Sequence, residues 1–153
     1  AGNVTLFKDY LTGDDMFDDT YKYEDIDDAI YMVYATKDSV GVDVVVQYGL
    51  EEIQFEGEFA MYDYVSSYTD YMQALEEKLL SDGKYDEYNK LGLVSGPWFE
   101  ILLNFENLQF FKGHSMNDVG MTILSEHKVI NGRKRPVLYY IKYGLVEVKA
   151  ITL

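Results

Sequence analysis

Residues 119–150 read VGMTILSEHKVINGRKRPVLYYIKYGLVEVKA, and this stretch decides the fold class. Val119, Met121 and Ile123 alternate with other residues, as do Val137, Tyr139, Ile141 and Tyr143. After Gly144 the alternation resumes at Val146, Val148 and Ala150. A period of two sends successive side chains to opposite faces, as in strands with one buried side. Asn131-Gly132 lies between two such runs, and both residues tolerate the left-handed backbone of a two-residue hairpin turn. Pro136 suits an edge or a strand start, because it has no N–H to give to a ladder. From about Leu108 onward the chain is therefore expected to form antiparallel strands.

Upstream of this region the period lengthens to that of a helix. Tyr64, Tyr68, Tyr71, Leu75 and Leu79 line one face, with Val65 and Met72 beside them, and Ser81-Asp82-Gly83 ends the run. A short helix over 84–91 follows, and Gly96-Pro97 starts another with Pro97 at its first position. Trp98, Ile101, Leu102 and Phe105 then recur at helical spacing. Further back, Val40, Val42, Val44, Val46 and Tyr48 alternate, and Ile53, Phe55 and Phe59 oppose Glu52, Gln54, Glu56 and Glu58. These two runs predict an N-terminal hairpin turning at Tyr48-Gly49-Leu50. Ile26, Ala29, Ile30, Val33 and Tyr34 fit a helix with Glu24, Asp25, Asp27 and Asp28 in its first turn, where the dipole favours anions. Residues 4–11 predict a short helix capped by Asn3. The expected architecture is one α+β domain over 1–153. An antiparallel sheet of about five or six strands packs against three to four helices, and a helical segment (62–106) separates the N-terminal hairpin from the C-terminal β region.

Charge is the other informative feature. The 153 residues carry a net charge of -14. Residues 1–106 hold 24 acids against 6 bases, whereas 107–153 hold 3 acids against 7 bases. Apolar residues at 48% and aromatics at 16% exclude a disordered chain despite that charge. No cysteine is present, which excludes disulfides, thiolate metal sites and a cysteine nucleophile. The start, Ala1-Gly2-Asn3, shows no leader pattern, and no run approaches the roughly 20 apolar residues that span a bilayer. Anionic lipid repels a surface of net charge -14, so a cytoplasmic protein without a membrane partner is expected, or one built into a virion.

Few residues suggest chemistry. His114 and His127 are the only near-neutral bases, and His114-Ser115 sits in a Gly-flanked turn without triad spacing. No phosphate-loop, dinucleotide, zincin or nucleophile-elbow motif occurs, so a non-catalytic protein without cofactor or metal is expected, with a small hydrolase ranked third. The run Gly13–Asp19 fails the EF-hand pattern, because Met16 holds a ligand position and the central glycine is missing. Arg133, Lys134 and Arg135 follow the hairpin turn, with Lys128 before it. The whole-chain charge argues against direct nucleic-acid binding by this patch, leaving either a solubilising tip or a patch that docks onto the acidic surface of another copy. Asp14, Asp15, Asp18, Asp19, Glu52, Glu56 and Glu58 are the acids without a local explanation. They predict a polyanion-like face that inhibits a basic, nucleic-acid-handling protein. The alternative is a virion or tail subunit that assembles through the basic hairpin and that acidic face.

Overall fold

A computed structural model describes residues 2–37 and 41–152. Its first element is β1 (Gly2–Asp9), in which Thr5, Phe7 and Asp9 are buried in alternation. This replaces the helix expected at 4–11. Eight residues are marginal for a helix on their own, and β1 is instead paired on both sides. One neighbour is β2 (Asp15–Asp18) and the other is β9 (Leu145–Thr152), which together make a three-stranded antiparallel sheet in the order β2-β1-β9.

The second sheet has six antiparallel strands. It runs from β3 (Tyr23–Ile26) through β4 (Ile30–Tyr34), β8 (Arg133–Ile141), β7 (Ile123–Ile130) and β6 (Gln109–Lys112) to β5 (Glu51–Ile53). Asn131 and Gly132 both take positive φ and close the β7–β8 hairpin, as their identities predict. Aromatic contacts join the two sheets. Phe17, stacked on Phe7 of its own sheet at 4.3 Å, meets Tyr140 of β8 at 4.8 Å, and the Tyr140 hydroxyl donates to the Met16 carbonyl.

The helical segment lies where the 3.6 period places it. In α2 (Ala60–Ser81) Tyr64, Tyr68, Tyr71, Leu75 and Leu79 are buried, and Gly83 at φ 72 follows its end. Then come α3 (Tyr85–Lys90) and α4 (Ser95–Leu102), which buries Trp98 and Leu102. The elements α1 (Val44–Gln47), α2, α3 and α4, with the two sheets, make this an α+β fold. Among the described residues no helix is long and apolar enough to cross a membrane.

Three further local expectations fail. Residues 26–34 form the end of β3, a turn and β4, not a helix. Asp27 and Asp28 both stand at φ 56, and β4 buries Ile30, Met32, Val33 and Tyr34 together. A strand covered on both faces loses its alternation and mimics helical spacing. The N-terminal hairpin over 40–59 does not form. Asp43 caps α1 by accepting from the Val45 N–H at 2.7 Å, and only three residues beyond it, 51–53, extend as β5. Val40 falls outside the described residues. Val119–Met121 belongs to the loop before β7, in which Lys112 Nζ donates to the Gly120 carbonyl at 2.7 Å and the Met121 N–H to buried Asp9. Those polar bonds, not alternation, shape the loop.

Candidate functional site

A concavity with an aromatic lining lies where β5 ends the six-stranded sheet. β5 pairs only with β6, setting Glu52 opposite Phe111 and Ile53 opposite Phe110. The chain then leaves the sheet at Gln54, turns at Gly57 (φ 84) and enters α2 at Ala60. The Ala60 N–H donates back to the Gly57 carbonyl at 3.2 Å. On the far side, residues 105–107 make a 3₁₀ turn that brings Phe105 towards the same space. Between them lies a cavity of about 430 Å³, within the range of about 300–1,000 Å³ usual for ligand-sized pockets.

Its floor is aromatic and held in place. Phe55 meets Phe110 at 5.0 Å and Tyr64 at 5.5 Å, and Phe105 meets Phe110 at 5.3 Å. Edge-on and tilted contacts of this kind fix ring orientation beyond what area burial does. Tyr64 is anchored from beneath, because Trp98 Nε1 donates to its hydroxyl at 2.7 Å. Burial pushes the Tyr64 hydroxyl up, with the Trp98 bond pulling the other way. The rim is polar and acidic. Glu52, Glu58 and Glu106 line it, and Gln109 Nε2 donates to Glu52 at 3.3 Å. Among the described residues no Lys, Arg or His lines the cavity. Met61 is 41% exposed beside it, and Phe59, just before α2, is 64% exposed.

The acids singled out in the sequence divide between two places. Glu52 and Glu58 stand on this rim, and Glu56 is exposed on the connection between them. The other four lie on the β1–β2 hairpin and its exit, each with an internal partner. Asp14 accepts from Ser115 Oγ at 2.6 Å, and Asp15 pairs with Lys8 at 2.9 Å. Asp18 is buried and accepts from Thr20 and Tyr48, and Asp19 accepts from the Thr5 N–H. Burial works to raise the Asp18 carboxyl, but the Thr20 and Tyr48 hydrogen bonds outweigh it and leave it lowered. Residues 14–19 thus form part of a hydrogen-bonded hairpin and its exit. Among the described residues, no group of three or more His, Asp or Glu could hold a metal ion.

Arg133, Lys134 and Arg135 lie on β8, where Lys134 borders a separate cleft with Asn104, Asn107, Glu126 and His127 and Arg135 stacks 4.7 Å over the Tyr34 ring. His114 borders a separate cleft with Asp14 and Tyr48, and Ser115 is bonded to Asp14. Sequence reasoning missed Phe55, Phe105 and Phe110 as one floor. The residue pattern pointed to the Glu52–Phe59 alternation, but nothing in it tied Phe105 to that segment.

Comparison with known proteins identifies the fold and the family. The structure resembles the translationally controlled tumor-associated protein p23fyp of Schizosaccharomyces pombe, with a TM-score of 0.71 at 21% identity over 94% of this chain and 98% of that one. It also resembles the solution structure of the translationally-controlled tumor protein of Caenorhabditis elegans, with a TM-score of 0.64 at 19% identity over 97% and 100%. In sequence, the translationally-controlled tumor protein homolog of Drosophila melanogaster is 34% identical over 95% of this chain and 99% of its own length. That of Ixodes scapularis is 30% identical over 95% and 99%. These relatives come from a fly, a tick, a worm and a yeast. They overturn the expectation of a viral polyanion mimic that inhibits a nucleic-acid-handling protein, and with it that of a virion or tail subunit. The model of the family described as "Translationally controlled tumour protein" matches residues 36–146, well over half of the chain, and the chain belongs to that family.

Proposed function

We propose that this chain is a non-catalytic binding module, and that the β5–α2 cavity receives a segment of a partner protein carrying one or two large apolar side chains beside Lys or Arg. The observation behind this reading is the composition of the cavity, an aromatic floor within a rim of three glutamates and, among the described residues, no cation. The floor offers apolar area whose hydration is lost on binding, and the rim discriminates by charge. Rings already packed against one another lose little freedom when a ligand arrives, which favours binding over a floppy surface of equal area.

The test uses a synthetic peptide with Phe and Leu between Lys and Arg residues, and a control peptide with Glu at the basic positions. Binding is read from the side-chain amide resonances of Gln54 and Gln109, which flank Glu52. The basic peptide is expected to shift both resonances with an affinity that falls as salt rises. Glu52→Lys with Glu58→Lys should weaken it about tenfold or more, since rim charges act on encounter and selectivity. Equal binding of the two peptides, or unchanged binding by the doubly reversed variant, overturns the proposal.

A further inference from the structure

The β7–β8 hairpin outruns the sheet that carries it. β6 pairs with β7 no further than Ser125, and β4 pairs with β8 no further than Val137. Beyond these points Lys128, Val129 and Ile130 pair only with Arg135, Lys134 and Arg133 of the same hairpin. Four steps along the strand lead from His127 to Asn131 at the turn. At ~3.4 Å per residue the turn stands about 14 Å beyond His127.

That tip combines cations with exposed apolar surface. Lys128, Arg133 and Lys134 are exposed, and among the described residues none of them makes an ion pair. No Asp or Glu occurs from His127 to Val146. Val129 is 68% exposed, Ile130 is half-buried, and both adjoin the Asn131-Gly132 turn. Lys alone would serve to keep a strand edge from aggregating, but an exposed Val at the foremost position works against that purpose.

We propose that this hairpin tip docks on an anionic phospholipid surface, with Val129 entering the headgroup boundary and Lys128, Arg133 and Lys134 meeting lipid phosphates. The whole-chain charge of -14 argues for repulsion only if it acts as one charge. At physiological ionic strength fields decay over about 8 Å, so the turn, about 14 Å beyond His127, meets the surface before most of the acidic body is felt, while Lys128 borders a cleft with Asp27, Glu100 and Glu126 and Lys134 one with Glu126. Anionic lipid attracts basic residues by about fivefold in affinity each, and an inserted side chain supplies the second contribution that reversible anchoring requires. Val129 also separates lipid from other polyanions, since duplex phosphates have no use for it.

The experiment is co-sedimentation of the full chain with vesicles of phosphatidylcholine alone and with phosphatidylserine-rich vesicles. The chain is expected to sediment only with the latter, and less so as salt rises. Arg133→Glu with Lys134→Glu should lower binding on the order of 100-fold. Val129→Ser should lower it several-fold while leaving the melting temperature unchanged, because the side chain is mostly exposed already. Equal sedimentation with both vesicle types, or full binding by the charge-reversed variant, overturns the proposal. So does unchanged vesicle binding by Val129→Ser together with displacement by duplex DNA, which would assign the tip to nucleic acid.

Discussion

At Gly144 the backbone passes so close to α2 that a Cβ would overlap the Tyr71 hydroxyl and lie 2.7 Å from Met121 Cε. Its φ is not in the left-handed region, so space alone excludes a side chain. The Tyr71 hydroxyl is fully buried and, among the described residues, has no hydrogen-bond partner, and burial next to Asp9 pushes its ionisation well up. An unpartnered buried hydroxyl costs about 1–3 kcal/mol. Gly144→Ala is therefore expected to destabilise the fold by about 1–3 kcal/mol through overpacking. Tyr71→Phe, which removes the oxygen that is in the way, should be neutral or stabilising. The pair should be non-additive, with Gly144→Ala costing less when it is combined with Tyr71→Phe than when made alone. Urea titration of the four proteins checks this, and equal cost of Gly144→Ala in both backgrounds would show that the hydroxyl is not the obstacle.

The turn between β3 and β4 puts two aspartates in succession at φ 56, a conformation an L-residue adopts at some cost. Asp28 is bonded to Lys142 and Tyr143, whereas Asp27 is exposed and has no side-chain bond to lose. Asp27→Gly should raise stability by roughly 0.5 kcal/mol, the relieved strain exceeding the extra freedom of the unfolded chain. Asp27→Val should lower it, and thermal melts of both decide whether turn strain is present. This turn also shows why part of the fold was illegible in the sequence. Asp at a helix start and Asp in a left-handed turn look alike, and only the pairing of β4 with β8 distinguishes them. The helix α2 was legible because one face of it alone is buried, which preserves its period. The β7–β8 hairpin was legible because Asn131-Gly132 states its turn. The short α1 and β5 were not, since each is decided by a contact: the Asp43 cap in one case and the pairing with β6 in the other. The cavity was not legible: Glu52 and Glu58 stood out only as a charged strand face, and the fold alone brings Phe105 and Phe110 beneath them.

Across the whole molecule, much of the acidic charge that stood out in the sequence is engaged in holding distant elements together. Lys142 Nζ reaches Asp25 and Asp28 at 2.6 Å each, Tyr143 donates to Asp28 at 2.7 Å, and Lys90 at the end of α3 lies 3.4 Å from Asp28. One carboxylate thus links the β3–β4 turn, the helical layer and the turn leading into β9. The hydrogen bonds from Lys142 and Tyr143 hold the Asp28 carboxyl well below its usual range. Burial would lower Lys142, but its bonds to Asp25 and Asp28 raise it instead. Because the folded carboxyl is more acidic than the unfolded one, its contribution is present above about pH 4 and is lost as the pH falls below that. Because the folded Lys142 holds its proton more tightly than in the unfolded chain, its contribution is present below about pH 10.4 and is lost as the pH rises beyond. Asp28→Asn cannot titrate at this position. The stability difference between wild type and Asp28→Asn should therefore be constant near neutrality and shrink on the acid side of about pH 4. The gap should also shrink in alkali, as Lys142 loses its proton. Melting temperatures of both proteins from acid to alkaline pH test this, and a gap that stays unchanged below about pH 4 would mean that Asp28 is not the carboxylate holding these elements together.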